Sequence, residues 1–457
     1  MDLIARTRKE KWREIITIAW PLIVANSFWN IQLTIDRVFL GQYSTEALAA
    51  SMAVMGVFWT PMALLQQTSA YVTTFVAQYF GAKRFNMIGP ALWQAIYIAL
   101  CGGLLFMLLL FIAEPLFNFI GHEEKTRLLE IEYFKSLCYS AMPTAIVAAV
   151  SGYYTGLGNT KIIMWINCIA LIANVILDYL FIFGNLGFPE MGVTGAGYAT
   201  GLATWCGAFY GLWLIFKDKH AAEYEIIKNW RMNADLMKRF IKYGLPSGLQ
   251  WALEGLAFTV FLIIIGRMPN GTGALAASGI VVTVMMLAIM PAIGVAQAVM
   301  VLVGQHLGEK NPHLAVDNTW SGVQVAAMYI ISVGITFLLF PQFYLSWFHN
   351  ERNAEVWGQV SVIVPYLLMF VALFTTFDSM NLVFSFALKG AGDTRYVTAV
   401  ALALPWPLMI IPTYLMKDWN GAIYWAWGAA SVYGILQSMV FLRRFLGGKW
   451  KSMSVIN

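Results

Sequence analysis

Apolar residues in this chain run in long unbroken blocks instead of the alternating or three-to-four spacing of a half-wetted fold. Crossing a hydrocarbon layer as a helix takes about 20 residues. Blocks of that length lie near 15–40, 48–79, 88–113, 129–155, 161–184 and 194–216, and again near 239–266, 274–306, 315–340, 356–388, 395–416 and 422–446. The pattern predicts an all-α integral membrane protein of twelve transmembrane helices. Pro21, Pro61, Pro143, Pro246, Pro291 and Pro365 fall inside the blocks, which membrane helices tolerate because neighbouring helices re-satisfy the freed backbone groups.

Composition excludes a soluble reading. Hydrophobic residues make up 59% of the 457 and charged residues 12%, against roughly 25% charged in soluble domains. The net charge of +5 is a matter of topology, not of phosphate binding, because the basic residues avoid the apolar blocks and gather in particular loops. With the N-terminus inside, one side receives 22 Lys and Arg: Arg6, Arg8, Lys9, Lys11, Arg13, Lys83, Arg84, Lys161, seven between Lys217 and Lys242, Lys310, Lys389, Arg395, Arg443, Arg444, Lys449 and Lys451. The other side receives Lys125, Arg127, Arg267, Arg352 and Lys417. This bias predicts that both termini are cytoplasmic and that the number of spans is even. Ala47-Leu48-Ala49 imitates a signal-peptidase site, but the block before it is too long and the string recurs, so the first helix is expected to be retained. Cys101, Cys138, Cys168 and Cys206 lack metal-type spacing and read as buried small hydrophobes.

The chain repeats itself. Pro21 matches Pro246, Gly41 matches Gly266, and Ala47-Leu48-Ala49-Ala50-Ser51 returns as Ala274-Leu275-Ala276-Ala277-Ser278. Gln78-Tyr79-Phe80-Gly81-Ala82-Lys83 matches Gln305-His306-Leu307-Gly308-Glu309-Lys310, and Gly156-Leu157-Gly158-Asn159-Thr160-Lys161 matches Gly390-Ala391-Gly392-Asp393-Thr394-Arg395. Landmarks in one order at similar spacing predict two pseudo-symmetric six-helix bundles, residues 1–220 and 221–457, with a solute route between them. The Gly-rich strings read as tight turns: the spacing of a phosphate-binding loop is absent, and His122-Glu123-Glu124 lacks the second His of a zinc-protease helix. Asn270-Gly271-Thr272 fits a glycosylation sequon, though a plain turn accounts for it as well.

A carboxylate within hydrocarbon costs at least ~2.5 kcal/mol, so each one demands a reason. Asp36, Asp178, Glu254 and Asp378 stand well inside spans, joined by the amide of Asn174. Asn174 lies one helical turn from Asp178 on the same face, and these two with Asp36 form a candidate site in the first half. Glu254 and Asp378 form a second. The acids break the repeat, since Trp29 matches Glu254 and Phe261 matches Asp36. Desolvated carboxyl groups bind a proton or a small hard cation, and neutralising them shifts a conformational equilibrium. A cationic solute competing for them is displaced by the ion, which is the logic of antiport. Pairing of Asp36 with Arg37 is the bland alternative. Trp29, Tyr179, Trp251 and Phe377 are placed to stack on a cationic solute or to pack as ordinary anchors.

These strings resemble the multidrug and toxic compound extrusion (MATE) transporters, in particular the NorM-like bacterial branch. The resemblance rests on Ile18-Ala19-Trp20-Pro21, Asp36-Arg37-Val38-Phe39-Leu40-Gly41, the repeated Ala-Leu-Ala-Ala-Ser, Asn174-Val175-Ile176-Leu177-Asp178-Tyr179 leading to Met191-Gly192-Val193-Thr194-Gly195-Ala196, and Leu388-Lys389-Gly390-Ala391-Gly392-Asp393-Thr394. It implies two bundles around a V-shaped cavity, alternating access, and export of cationic amphipathic compounds in exchange for Na⁺ or H⁺. Asp36, Asn174 and Asp178 then resemble the cation or proton site of the first lobe. Glu254 and Asp378 resemble the acidic site of the second, with both as ligands if the ion is Na⁺. A monomer without cofactor beyond the coupling ion is expected, with small organic cations, drugs and the bilayer as partners and no nucleic acid. A lipid-linked precursor flippase is the runner-up, but it calls for a basic cavity to hold pyrophosphate. A membrane enzyme lacks a metal-ligand set or an activated nucleophile here.

Overall fold

A computed structural model describes residues 7–348 and 354–456, and among them none is in a strand. Arg6 and Arg352 of the charge count lie outside the described residues. The helices are α1 (Arg8–Tyr43), α2 (Thr45–Ala70), α3 (Val72–Gly81), α4 (Ile88–Phe106), α5 (Leu109–Ile120), α6 (Glu124–Cys138), α7 (Ala141–Gly156), α8 (Lys161–Phe183) and α9 (Gly192–Lys217). After these come α10 (Ala234–Gly266), α11 (Gly271–Gly308), α12 (Pro312–Leu339), the short α13 (Pro341–Ser346), α14 (Ala354–Ala391), α15 (Thr394–Ala403), α16 (Ile411–Leu415) and α17 (Ala422–Leu446).

Ten segments of the described residues are long and apolar enough to span a membrane on those grounds alone. The twelve are completed by α1, diluted by Asn26, Asn30, Gln32, Asp36 and Arg37, and by α6 with α7, interrupted at Tyr139 and Ser140. A π turn over Trp406–Ile410 joins α15 to α16 next to Pro405. Local signals set the ends. Ser44 Oγ accepts from the Ala47 amide at 2.9 Å to cap α2, and Gly121 and Gly184 close α5 and α8 in the left-handed region that glycine adopts without strain.

The repeat extends to the backbone. Lys83 and Lys310, matched in sequence, both take a left-handed conformation at φ 57° and 58°, and Gly158 and Gly392 do so at 77° and 103°. The Gly-rich strings are therefore turns that follow a span, as expected. Asn270 is left-handed too, at φ 59°, which fits the plain-turn reading of its tripeptide.

The chain packs as two compact units. One gathers the described residues up to Ile23 with Leu253–Val303 and Asn311–Ser454; the other gathers Val24–Ala252 with Gly304–Lys310 and the last described residues, Val455 and Ile456. Each unit thus takes most of one sequence half plus the opening stretch of the other half's first helix.

In the unit built on α2 to α9, small residues let helices approach, as lipid leaves packing to do the work of the hydrophobic effect. A Cβ on Gly197 would strike Ser136, and one on Gly103 would strike Met142. The charged connection after α9 is docked, not loose. Gly89 N donates to Tyr224 O at 2.9 Å, Trp93 Nε1 donates to Ile226 O at 2.7 Å, and Ile226 is fully buried. The opening of α10 joins this unit, with Phe240 stacked on Phe75 at 5.1 Å and Gly248 against Leu64 and Thr68. The two copies of the Gln-x-x-Gly string also meet here. A Cβ on Gly81 would collide with the Gln305 carbonyl, and one on Gly308 with the Gln78 carbonyl. Gln305 Nε2 donates to Gly156 O at 2.9 Å, while Gln78 Oε1 accepts from Val455 N at 2.9 Å.

The other unit has a core around Phe261, Val284, Leu367 and Trp427, where Trp427 Nε1 donates to Ser278 Oγ at 3.1 Å. The start of α1 belongs to it: Lys11 pairs with Asp317 at 2.6 Å, and Gln324 Oε1 accepts from Arg8 Nε and Trp12 Nε1 at 3.1 and 3.2 Å. Gly294 leaves room for Ile23. After α17, the fully buried Trp450 stacks on Phe445 at 4.9 Å.

Apolar side chains also face outward, among them Leu105, Phe111 and Phe119, the last 90% exposed. Lipid is the solvent for such a belt. The same inversion corrects the cysteine reading, because Cys101 and Cys206 are exposed and only Cys138 is fully buried.

Two acidic clusters

Each unit holds one cluster of acids at membrane depth. In the unit of α2 to α9, Asp36 near the end of α1 is 5% exposed, and Asn174 and Asp178 on α8 have no exposed surface. The four-residue spacing on α8 puts the amide and the carboxyl on one face, and Asp178 confronts both Asn174 and Asp36. The geometry leaves much of this polarity unsatisfied: Asp36 Oδ1, both Asp178 oxygens and both amide atoms of Asn174 are buried outside hydrogen-bonding limits. Buried polar atoms are as a rule paired, so a cluster of such acceptors is a place for a proton or a cation. Tyr133 of α6 borders it, buried and within electrostatic reach of both acids. Among the described residues no ion pair joins Asp36 to Arg37, so the bland alternative is not what the structure adopts.

In the other unit the acids, Glu254 and Asp378, are partly buried and are satisfied through amides. Asn381 Nδ2 donates to Asp378 Oδ1 at 3.0 Å and to Gln437 Oε1 at 3.2 Å, and Gln437 Nε2 donates to Glu254 Oε1 at 3.2 Å. The relay Asp378–Asn381–Gln437–Glu254 spans α14, α17 and α10, and places the two predicted acids in one neighbourhood. Tyr433, one turn before Gln437 on α17, lies beside it. Sequence reasoning missed both amides. Their signal was the one used for Asn174, a lone polar side chain in an apolar run, and Asn381 also stands three residues from Asp378.

Lys389 departs from expectation. Counted among loop residues, it is 2% exposed because α14 continues to Ala391; its Nζ lies 4.7 Å from the Phe386 ring centroid and within electrostatic reach of Glu254. Of the four aromatics singled out beside the acids, Trp29 packs on Trp59 at 5.1 Å. Tyr179 is 52% exposed beside Phe183 and points away from its buried neighbour Asp178. Trp251 and Phe377 are half-buried. Among the described residues no group of three or more His, Cys, Asp and Glu stands together as a metal site, so a hard cation here would draw on amide and hydroxyl oxygens as well.

Each unit sets a cluster of acids among apolar spans, the arrangement of a membrane transporter. Residues 21–180 and 246–415 match the MatE family model, one match per sequence half, and the chain belongs to that family. It is similar to proteins described as probable multidrug resistance protein NorM. The one from Thermotoga maritima is 27% identical over 97% of this chain and 94% of its own; that from Bacillus anthracis is 24% identical over 91% of each. Among solved structures, an outward-facing multidrug resistance MATE family transporter of the MOP superfamily shares the fold with a TM-score of 0.87 at 19% identity, covering 98% of both chains.

Proposed function

We propose that this chain is a secondary active antiporter that exports cationic amphipathic compounds in exchange for Na⁺ or H⁺ by alternating access. The observation that carries the reading is the set of buried, unsatisfied oxygens on Asp36, Asn174 and Asp178. A carboxyl group desolvated in this way stores the difference between its neutral and charged forms. An ion that neutralises it favours one conformation, and a cationic cargo that needs the charge favours the other. The halves 1–220 and 221–457 are the two lobes in this reading, both termini are cytoplasmic, and the monomer in the bacterial plasma membrane is the working unit. Asp36, Asn174 and Asp178 form the ion site of the first lobe, and Glu254 and Asp378 that of the second, ligating the ion directly if it is Na⁺. The multidrug resistance names of the relatives support the substrate class.

The test is transport of a cationic dye in proteoliposomes carrying either a sodium gradient at fixed pH or a pH gradient without sodium. One of the two is expected to drive dye movement. Folded protein that moves no dye under either gradient overturns the reading.

A further inference from the structure

A buried carboxyl group also lies outside both acidic clusters. Glu130, in the second turn of α6, has no exposed surface. Its Oε1 meets His122 Nδ1 at 2.6 Å, and its Oε2 is buried with no hydrogen-bond partner. His122 is different: it stands in the short turn between α5 and α6, beside the left-handed Gly121, and its side chain is 47% exposed. The pair therefore joins an acid that solvent cannot reach to a base that solvent can, across a single hydrogen bond.

Other charges nearby are spoken for. The helices packed on α6 are α2, α5 and α9. From α2, Glu46 is held by Lys125 at 2.6 Å; from α5, Glu114 is held by Lys135 at 2.5 Å; from α9, Thr194 donates to Glu132 at 3.4 Å. Glu124 and Arg127 share α6 itself, and Asp36 and Asp178 lie beyond Tyr133, which follows Glu130 by one turn on the same buried face. Among the described residues none of these makes an ion pair or hydrogen bond with Glu130, so the imidazole is its partner. A buried carboxylate that loses its cation is left with an uncompensated charge in low dielectric, a far larger penalty than an exposed pair feels.

We infer that Glu130 and His122 form a proton-binding site of their own, loaded from solution through the imidazole and separate from the carboxyls of Asp36 and Asp178. In the loading step Nε2 takes a proton from water to give the imidazolium. The Nδ1 proton then crosses to Glu130 Oε1, leaving a neutral carboxylic acid and a neutral imidazole that carries its proton on Nε2. Histidine is suited to this exchange because its two ring nitrogens let it take a proton on one face and pass one from the other.

The test is pH-difference infrared spectroscopy of the full chain in lipid nanodiscs, which reads the protonated-carboxyl band directly and does not depend on transport. The Glu130 component of the acid-induced band, read as the difference between the unsubstituted protein and Glu130→Gln, is expected to be kept in Asp36→Asn and Asp178→Asn and to be displaced along the pH axis in His122→Gln. Should Glu130→Gln not fold, His122→Gln still decides the matter, since its side chain is half in solvent. A carboxyl band that His122→Gln leaves identical to that of the unsubstituted protein overturns the inference, as does a folded Glu130→Gln whose acid-induced band equals that of the unsubstituted protein. Retention of the Glu130 component in Asp36→Asn and Asp178→Asn, whatever those variants do to dye movement, keeps this site distinct from the antiport reading.

Discussion

Gln437 donates its amide to the Glu254 carboxylate at 3.2 Å, tying α17 to α10 at membrane depth. The contact gives Gln437→Ala a definite expectation. Removing it takes one hydrogen bond from Glu254 and one from the Asn381 amide, each worth about 0.5–1.5 kcal/mol. Thermal unfolding in detergent should register that loss, with Gln437→Glu at low pH restoring part of it.

In the first cluster, Asp178→Asn keeps the volume and removes the charge. Gradient-driven dye export should fall by at least about fivefold, the lower end of ordinary coupling energies, while the protein still inserts and elutes as a folded species. Asp36→Asn should do the same. Full dye export by both would show that these acids are structural.

Gly81→Ala and Gly308→Ala test the crossing of the two repeated strings, since each Cβ would collide with the opposite glutamine's carbonyl. Overpacking of this kind costs about 1–3 kcal/mol, and the double variant should lose less than the sum because both changes push the same helices apart. Unfolding midpoints of the three variants measure it.

Gly89→Ala addresses the docked connection. A Cβ there would strike the Tyr224 carbonyl and break the Gly89–Tyr224 hydrogen bond. Limited proteolysis within residues 218–233 should quicken several-fold, and a cleavage rate equal to that of the unsubstituted chain would mean that the segment is held by its side chains instead.

Much of this fold was legible because lipid imposes one simple demand, about 20 apolar residues per helix. The demand hides interruptions: the breaks at Tyr139 and Pro405 occur inside blocks that read as continuous. The acids announced themselves by their cost, and the structure brings Asp36 to Asp178 and Glu254 to Asp378. What did not show was partnership. Asn381 and Gln437 are uncharged and so escaped a search for charge, and Glu130 sits close enough to the end of its block to pass for an interfacial residue. Lys389 was misplaced for the opposite reason, since a basic residue beside Gly390 looked like part of a turn although α14 still encloses it.

The allocation of α1 has a further consequence for biogenesis. Its opening turns rest on Asp317, Gln324 and Gly294, residues of the eighth and ninth spans, which leave the ribosome only after six or more later spans. Until then the first segment delivered to the bilayer has no docking surface of its own. A gene encoding the front half alone would thus yield a first helix whose opening turns lack the partners they have here.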